Sequence, residues 1–258
     1  MLYRKLKGVK EPLAILGFGA LRLPTKEDGK IKEAEAVRMI RHAIDHGVNY
    51  VDTACPYHKE MSEPLVEQAL EDGYRDRMFL ATKLPGWLVN NREDMDKILD
   101  VQLARLQTDR IDCYLLLGLM QQGCDRIVPL HLTEFLDDSI ADGMIRYTGL
   151  SFHDTIPLFK EIVDAYDLTF AQIQYNYMDQ EYQAGTKGLR YTAGKGPGMV
   201  IIETVRGGLL LRKSRAPRMC GKTCLAETPR LTGRSAGSLA VEVTVALSGI
   251  FDHGLAEG

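Results

Sequence analysis

The chain has 258 residues, of which 45% are hydrophobic and 26% charged, and its formal net charge is −3 at pH 7. This composition is ordinary for a globular protein, and an acidic balance argues against nucleic acid as the main ligand. The longest apolar run is far too short to cross a bilayer, so we also expect no membrane partner.

The cysteines give no sign of a metal site. No two of them have the C-x-x-C spacing, which argues against structural zinc or an iron–sulfur cluster. Cys113 lies in an apolar run and is expected to be a small core residue. An odd number of cysteines without a signal peptide favours a reducing, cytoplasmic location. The five cysteines are Cys55, Cys113, Cys124, Cys220 and Cys224.

The first 24 residues predict an N-terminal hairpin followed by the first buried strand. A short strand and a turn near Gly8 precede an apolar run over residues 15–21. Gly17 and Gly19 have no Cβ atom, so a ligand or another backbone segment can approach this strand closely.

From residue 31 to residue 203, helices and strands alternate. The first helix carries its apolar residues on one side and ends at Gly47, which suits the left-handed position after a helix. Ser62 is predicted to be the N-cap of the second helix, and Asn91 that of the third. Strands are predicted at residues 49–52, 78–83, 111–117, 144–151, 170–176 and 199–203.

This alternation predicts parallel strands joined by right-handed crossovers. With residues 15–21 as the first strand and residues 242–247 as the last, the chain has eight strands. We therefore predict an α/β fold, a single (β/α)8 TIM barrel over residues 1–258, with its active site at the carboxyl ends of the strands.

The pattern is lost over residues 212–241. This irregular segment mixes many arginines and lysines with prolines and glycines, and it shows no apolar helical stripe. A basic segment can bind phosphate, but a solvated segment is the favoured interpretation. The seventh and eighth helices are accordingly predicted to be degenerate or missing, as in a truncated or altered copy of the fold.

Three residues near the ends of two strands predict acid–base chemistry. Asp52 and Lys83 each end an apolar strand, and Tyr57 follows the first of them after a turn. A cation beside a tyrosine lowers the pKa of the phenol, and a carboxylate can hold that cation in place. Such a tyrosine can protonate a carbonyl oxygen as a general acid. The alternative is that the three residues only cap a turn, extend to solvent and pack.

The chain resembles the aldo-keto reductases, and most closely the bacterial and archaeal branch that often carries a C-terminal ferredoxin-like extension. That extension is absent here. The resemblance rests on residues 16–24, 49–57, 81–85, 111–119, 145–153, 172–177, 206–208 and 245–249, each of which falls at the position in the barrel that the family requires.

The resemblance implies NADPH-dependent reduction of a small aldehyde or ketone, without a metal. In the family's terms Tyr57 is the general acid, Lys83 lowers its pKa and Asp52 holds Lys83. Ser151 and Gln172 match the residues that hold the nicotinamide carboxamide. The remaining residues implied in cofactor binding are Gly19 and Ala20 along the cofactor, and Arg206, Ser248 and Gly249 at its phosphates.

The sequence also departs from the family. Leu117 stands where the family has a catalytic histidine, with His131 and His153 the nearest histidines, and Ile202 stands where a residue stacks on the nicotinamide. An alternative function is therefore an impaired protein that binds a nicotinamide cofactor as a sensor or partner subunit. A third interpretation is a chain that does not fold stably alone. The sequence fixes neither the carbonyl substrate nor the oligomeric state.

Overall fold

Parallel strands form a closed barrel in the computed structural model, which describes residues 1–6 and 8–207 and the backbone of residues 245–248. The barrel strands pair in chain order, and the last strand closes the ring by pairing with both the one before it and the first. The barrel consists of β3 (Leu16–Gly19), β4 (Tyr50–Asp52), β5 (Phe79–Leu84), β6 (Ile111–Leu119), β7 (Ile145–Phe152), β8 (Phe170–Gln174), β9 (Gly198–Ile202) and β10 (Val245–Ser248).

An antiparallel pair of short strands precedes the barrel, which confirms the predicted hairpin. These strands are β1 (Tyr3–Arg4) and β2 (Leu13–Ala14). Together with the barrel they confirm the predicted α/β barrel fold. The segment 212–241 and the predicted seventh and eighth helices lie outside the described residues, so the complete set of βα units stays a prediction.

Helices surround the barrel and bury one side against it. In the first of them Ala36, Ile40 and Ile44, four residues apart, are buried, and Gly47 with φ +96° ends the turn that follows. No helix in the described part of the chain is long and apolar enough to span a membrane. The helices are α1 (Glu33–Asp45), α2 (Ser62–Leu70), α3 (Arg92–Arg105), α4 (Gln121–Ile127), α5 (Leu132–Ala141), α6 (Ile156–Ala165) and α7 (Gly185–Lys195).

Some of the predicted boundaries are wrong. Ser62 is the first residue of α2 and not its cap, because its hydroxyl makes tertiary hydrogen bonds instead. The first barrel strand ends at Gly19, since Ala20–Arg22 forms a 3₁₀ turn. Asn91, in contrast, caps α3 as predicted by accepting a hydrogen bond from the Asp94 amide at 3.0 Å.

The helix α4 was not predicted at all. It has only seven residues and contains Gly123, and Ile127 is its one buried residue. So short a segment shows no apolar period from which a helix can be recognised.

The core has two apolar layers. One lies between the barrel and its helices, and the other fills the barrel interior. Cys113 belongs to the inner layer, which confirms its interpretation as a core residue. Leu6, Val9 and Leu13 from the N-terminal hairpin belong to the same layer and extend it beyond the barrel strands.

A buried carboxylate fixes the N-terminal end of the barrel. Asp112, at the start of β6, has 1% of its side chain exposed and accepts from Arg75 at 2.8 Å and Arg146 at 3.2 Å. It also accepts from the Leu80 amide at 3.0 Å. Arg146 extends the ion pairs to Glu11 of the hairpin at 3.2 Å. One side chain therefore connects three barrel strands to the hairpin.

We expect Asp112→Asn to lower the free energy of unfolding by about 3 kcal/mol, because it leaves the partly buried guanidinium groups without their shared carboxylate. Chemical denaturation measures this change. The matched control is Asp72→Asn, which removes an ion pair with Arg41 at 2.9 Å from a side chain that is 74% exposed. The control should cost less than about 1 kcal/mol. Equal effects of the two substitutions would contradict this account of the barrel end.

Candidate active site

Lys83 lies at the centre of the polar cluster at the carboxyl ends of β4 and β5. Its Nζ atom donates to Asp52 Oδ1 at 2.6 Å, to the Thr53 carbonyl at 2.9 Å and to Tyr57 Oη at 3.3 Å. The two strands are neighbours, with Asp52 paired to Ala81, so their ends meet. The predicted meeting of the acid, the lysine and the tyrosine is confirmed.

Burial dominates the electrostatics of Tyr57. It raises the pKa of the phenol above its usual value, and the charge of Asp52 adds to this, while Lys83 acts in the opposite direction. The expectation of a lowered pKa is therefore wrong for this site. The lysine has the predicted effect, but desolvation of the phenolate outweighs it.

The ion pair itself is shielded from water. Burial raises the pKa of Asp52 against the opposing charge of Lys83. Burial alone lowers the pKa of Lys83, but the charges of Asp52 and Tyr57 and their hydrogen bonds outweigh it and leave that pKa raised. The ammonium group is therefore held in its charged form beside Tyr57.

A cleft of about 480 Å³ opens beside Tyr57 and Asp52. Gly19, at the end of β3, and Ile202, at the end of β9, also line it. Arg22 and Glu203 lie on the same cleft and form an ion pair at 2.8 Å. This pair connects the turn after β3 to the end of β9. Ile202 thus lies beside the tyrosine, as the predicted stacking position requires.

Ser151 and Gln172 lie side by side, as expected of residues that hold one ligand group. They are register partners on β7 and β8, and each is 1% exposed. The Oε1 atom of Gln172 is buried and has no hydrogen-bond partner among the described residues. A buried acceptor of this kind fits the amide N–H of a bound ligand.

The predicted phosphate residues are less settled. Arg206 forms a bidentate pair with Asp179, with Nε 2.9 Å from Oδ2 and Nη2 3.1 Å from Oδ1. A phosphate must therefore compete with that carboxylate for the guanidinium. Ser248 ends β10, where only its backbone is described, and Gly249 lies outside the described residues. Ala20 is fully buried in the turn after Gly19.

Leu117 occupies the position predicted for the missing histidine. It is half-buried in β6, directly after the register shift that begins at Leu116. Of the two alternative histidines, His131 is exposed and pairs with Glu134 at 3.1 Å. His153 follows β7, and its pKa is lowered by burial and by the charge of Lys83. The structure thus couples His153, and not His131, to the polar cluster.

Sequence analysis missed two supports of the site. His58, directly after Tyr57, accepts from the Leu23 amide through Nε2 at 3.1 Å. It begins three successive residues with positive φ, at 52°, 58° and 70°. Gln102 is the second support, and its signal was a glutamine at an inward position between Leu99 and Leu106 in α3.

Comparison with known proteins places these features in a family. The model of the family described as "Aldo/keto reductase family" matches residues 15–232. The aldo-keto reductase YhdN of Bacillus subtilis (strain 168) is 29% identical over 179 residues, which are 65% of this chain and 52% of YhdN. The match therefore spans about half the length of that relative.

Solved structures show the same fold. The aldo-keto reductase AKR11C1 from Bacillus halodurans, in its holo form, has a TM-score of 0.75 at 25% identity, with 97% of this chain and 87% of that one covered. An aldo-keto reductase from Klebsiella pneumoniae in complex with NADPH has a TM-score of 0.71 at 22% identity, with coverages of 96% and 85%.

We expect His58 to make the stability of the protein depend on pH. Burial lowers its pKa below the usual 6.5, against a hydrogen bond to the Leu21 backbone. The unfolded chain therefore binds the proton at a higher pH than the folded chain, and the free energy of unfolding decreases as the pH falls below about 6.5. The melting temperature should drop further between pH 7 and pH 5 in the wild type than in His58→Gln, whose amide oxygen can still accept from Leu23. Calorimetry measures both drops, and equal drops would contradict the assignment.

Proposed function

The chain belongs to the aldo/keto reductase family, and from this we propose that it reduces an aldehyde or ketone to an alcohol, with NADPH as the hydride donor and Tyr57 as the general acid. The observation that carries the proposal is the position of the Lys83 ammonium, which binds Asp52 at 2.6 Å and Tyr57 at 3.3 Å. An ion pair beside a phenol at the edge of a cleft is suited to proton transfer.

The residues of the cleft fit a nicotinamide cofactor. The free, buried Oε1 atom of Gln172 can accept from the carboxamide N–H, with Ser151 beside it. Ile202 offers an apolar surface next to Tyr57. Bound NADPH supplies a hydride to the carbonyl carbon of the substrate. The NADPH complex of the Klebsiella pneumoniae relative supports this choice of cofactor.

The loops around the cleft define the cost of binding the cofactor. Arg22 and Glu203 have to separate if a dinucleotide is to lie along Gly19 and Ala20, since their ion pair connects the two sides of the cleft. Arg206, Ser248 and Gly249 are the proposed phosphate contacts. For Arg206 this requires exchange of the Asp179 carboxylate for a phosphate.

The proton for the carbonyl oxygen comes from Tyr57 Oη. Because the pKa of Tyr57 is raised, the phenol remains protonated over the neutral range and is ready to donate. After transfer, the Lys83 ammonium stabilises the phenolate, and Asp52 keeps that ammonium in place. Solvent then returns the proton to the phenolate. Each turnover thus adds one hydride and one proton to the carbonyl group.

The finer features of the protein belong to the same proposal. They are a complete (β/α)8 TIM barrel over a single domain of residues 1–258, a cytoplasmic location and a small carbonyl substrate. The odd cysteine count supports the location.

An impaired protein that binds the cofactor is the second candidate function. Leu117 favours it, because a leucine cannot donate a hydrogen bond to the substrate oxygen, and the loss of one such donor costs on the order of 10²–10³ in rate. Titration with NADPH, followed by fluorescence quenching, and a screen of carbonyl compounds on the same sample separate the two functions. Quenching without turnover would identify the sensor or partner subunit.

We expect Tyr57→Phe to lower the rate of NADPH oxidation with small aromatic aldehydes or dicarbonyls by about 10³-fold, because it removes the proton donor. Fluorescence quenching by NADPH should be unchanged. The matched control is Tyr182→Phe, which alters a tyrosine that is 52% exposed and should leave the rate as it is. Unchanged turnover in Tyr57→Phe would remove the proposed mechanism.

We expect Leu117→His to raise kcat at least about 10-fold, because it adds a hydrogen-bond donor at the position where the family has one. Steady-state kinetics with the same aldehyde measure this gain. The control is Leu117→Phe, which enlarges the side chain without adding a donor and should give no gain. An unchanged kcat in Leu117→His would mean that the missing histidine does not limit the reaction.

A further inference from the structure

A fully buried group of polar side chains lies behind Lys83, where α2 and α3 pack on β5. We refer to Glu63, Thr82, Gln102 and Tyr114 as the buried polar cluster; none is more than 1% exposed. Glu63 Oε1 accepts from Thr82 Oγ1 at 2.7 Å and from Gln102 Nε2 at 3.0 Å. Tyr114 donates to Gln102 Oε1 at 2.8 Å.

The contacts of the cluster end on the backbone of Lys83. Gln102 Nε2 donates to the Lys83 carbonyl at 2.9 Å and approaches Thr82 Oγ1 at 3.3 Å. Both oxygens of the Gln102 and Glu63 side chains are engaged, since Glu63 Oε2 also lies 3.5 Å from Arg105 Nη1. The carbonyl and the side chain of Lys83 are thus fixed from opposite sides.

Ser62 supplies a second connection to the same lysine. Its hydroxyl lies 2.8 Å from Thr53 Oγ1 and donates to the Ala20 carbonyl at 3.3 Å. Thr53 is the residue whose carbonyl accepts from Lys83 Nζ at 2.9 Å. The first two residues of α2 therefore contact both segments that orient the lysine.

An apolar interface could join these helices to the barrel at lower cost, because a buried carboxylate and a buried amide must be desolvated. What the polar groups add is direction, since hydrogen bonds fix the angles that apolar contacts leave free. We infer that Ser62, Glu63 and Gln102 are positioning residues that set the place of the Lys83 ammonium relative to Tyr57. This inference rests on the proposed function only in that Lys83 and Tyr57 form its reaction centre.

The test compares Gln102→Met with Ser139→Ala. Methionine keeps the approximate volume of glutamine and removes the donor to the Lys83 carbonyl. Ser139 is also buried between helix and barrel, but its hydroxyl donates only within its own helix, to the Phe135 carbonyl at 2.7 Å. If Gln102→Met does not fold, Ser62→Ala takes its place with the same measurements.

Two measurements are made on each variant. The first is the NMR resonance of Tyr57 Cζ in protein labelled with ¹³Cζ-tyrosine, assigned by its loss in Tyr57→Phe. The second is steady-state kinetics with NADPH and an aldehyde, together with the Kd for NADPH from fluorescence quenching. The NMR measurement needs no turnover, so it reports on positioning even if the proposed reaction fails.

We expect Gln102→Met to move the Tyr57 resonance and to lower kcat by about 10- to 100-fold, because small displacements of catalytic groups have effects of this size. The Kd for NADPH should stay within about threefold of the wild type, and Ser139→Ala should change neither measurement. An unmoved Tyr57 resonance with a kcat like that of Ser139→Ala would overturn the inference. If the wild type reduces no carbonyl compound, the proposed function is wrong, and a shifted or unshifted resonance still decides on the positioning role.

Discussion

The fold depends on the burial of one ammonium group. Lys83 is completely removed from solvent, and an ammonium in such a place is stable only if oxygen atoms replace the water it has lost. Asp52, Thr53 and Tyr57 supply three of them on one side of the barrel mouth. Any fold of this chain that kept Lys83 buried but separated β4 from β5 would leave the charge without partners. The pairing of these two strands is therefore as much an electrostatic requirement as an apolar one.

A second requirement concerns the backbone on the other side of the barrel. A Cβ atom added to Gly149 would lie 2.7 Å from the ring of Phe170 and 2.9 Å from its carbonyl oxygen. Only glycine lets β7 and β8 approach this closely. Two residues further along the same pairing, Ser151 comes to lie beside Gln172. The small residue thus makes possible the polar pair that faces the proposed carboxamide site.

The sequence predicted what repeats and missed what depends on burial. Alternating helices and strands indicated the barrel because the apolar period changes with each element, and closure then brought Asp52 and Lys83 together. The cap assigned to Ser62 was wrong because its partners, Thr53 and Ala20, are distant in the chain. The direction of the Tyr57 pKa was wrong because spacing shows which charges are neighbours but not how much solvent is lost. The role of Leu117 cannot be read from the sequence alone, since it depends on what the substrate oxygen contacts.

The charges at the barrel mouth have a further consequence for affinity. Each of the cations at this mouth that the proposed function uses already has a carboxylate partner in the described part of the chain. Lys83 pairs with Asp52, Arg22 with Glu203 and Arg206 with Asp179. A dinucleotide does not enter an open cationic slot under these conditions. Its phosphates exchange ion pairs, so the free energy of binding is the difference between the phosphate contacts and the carboxylate contacts that they replace. This exchange lowers the affinity for small anions, which cannot compensate for the lost pairs. It favours a ligand that also gains contacts at Ile202 and Gln172.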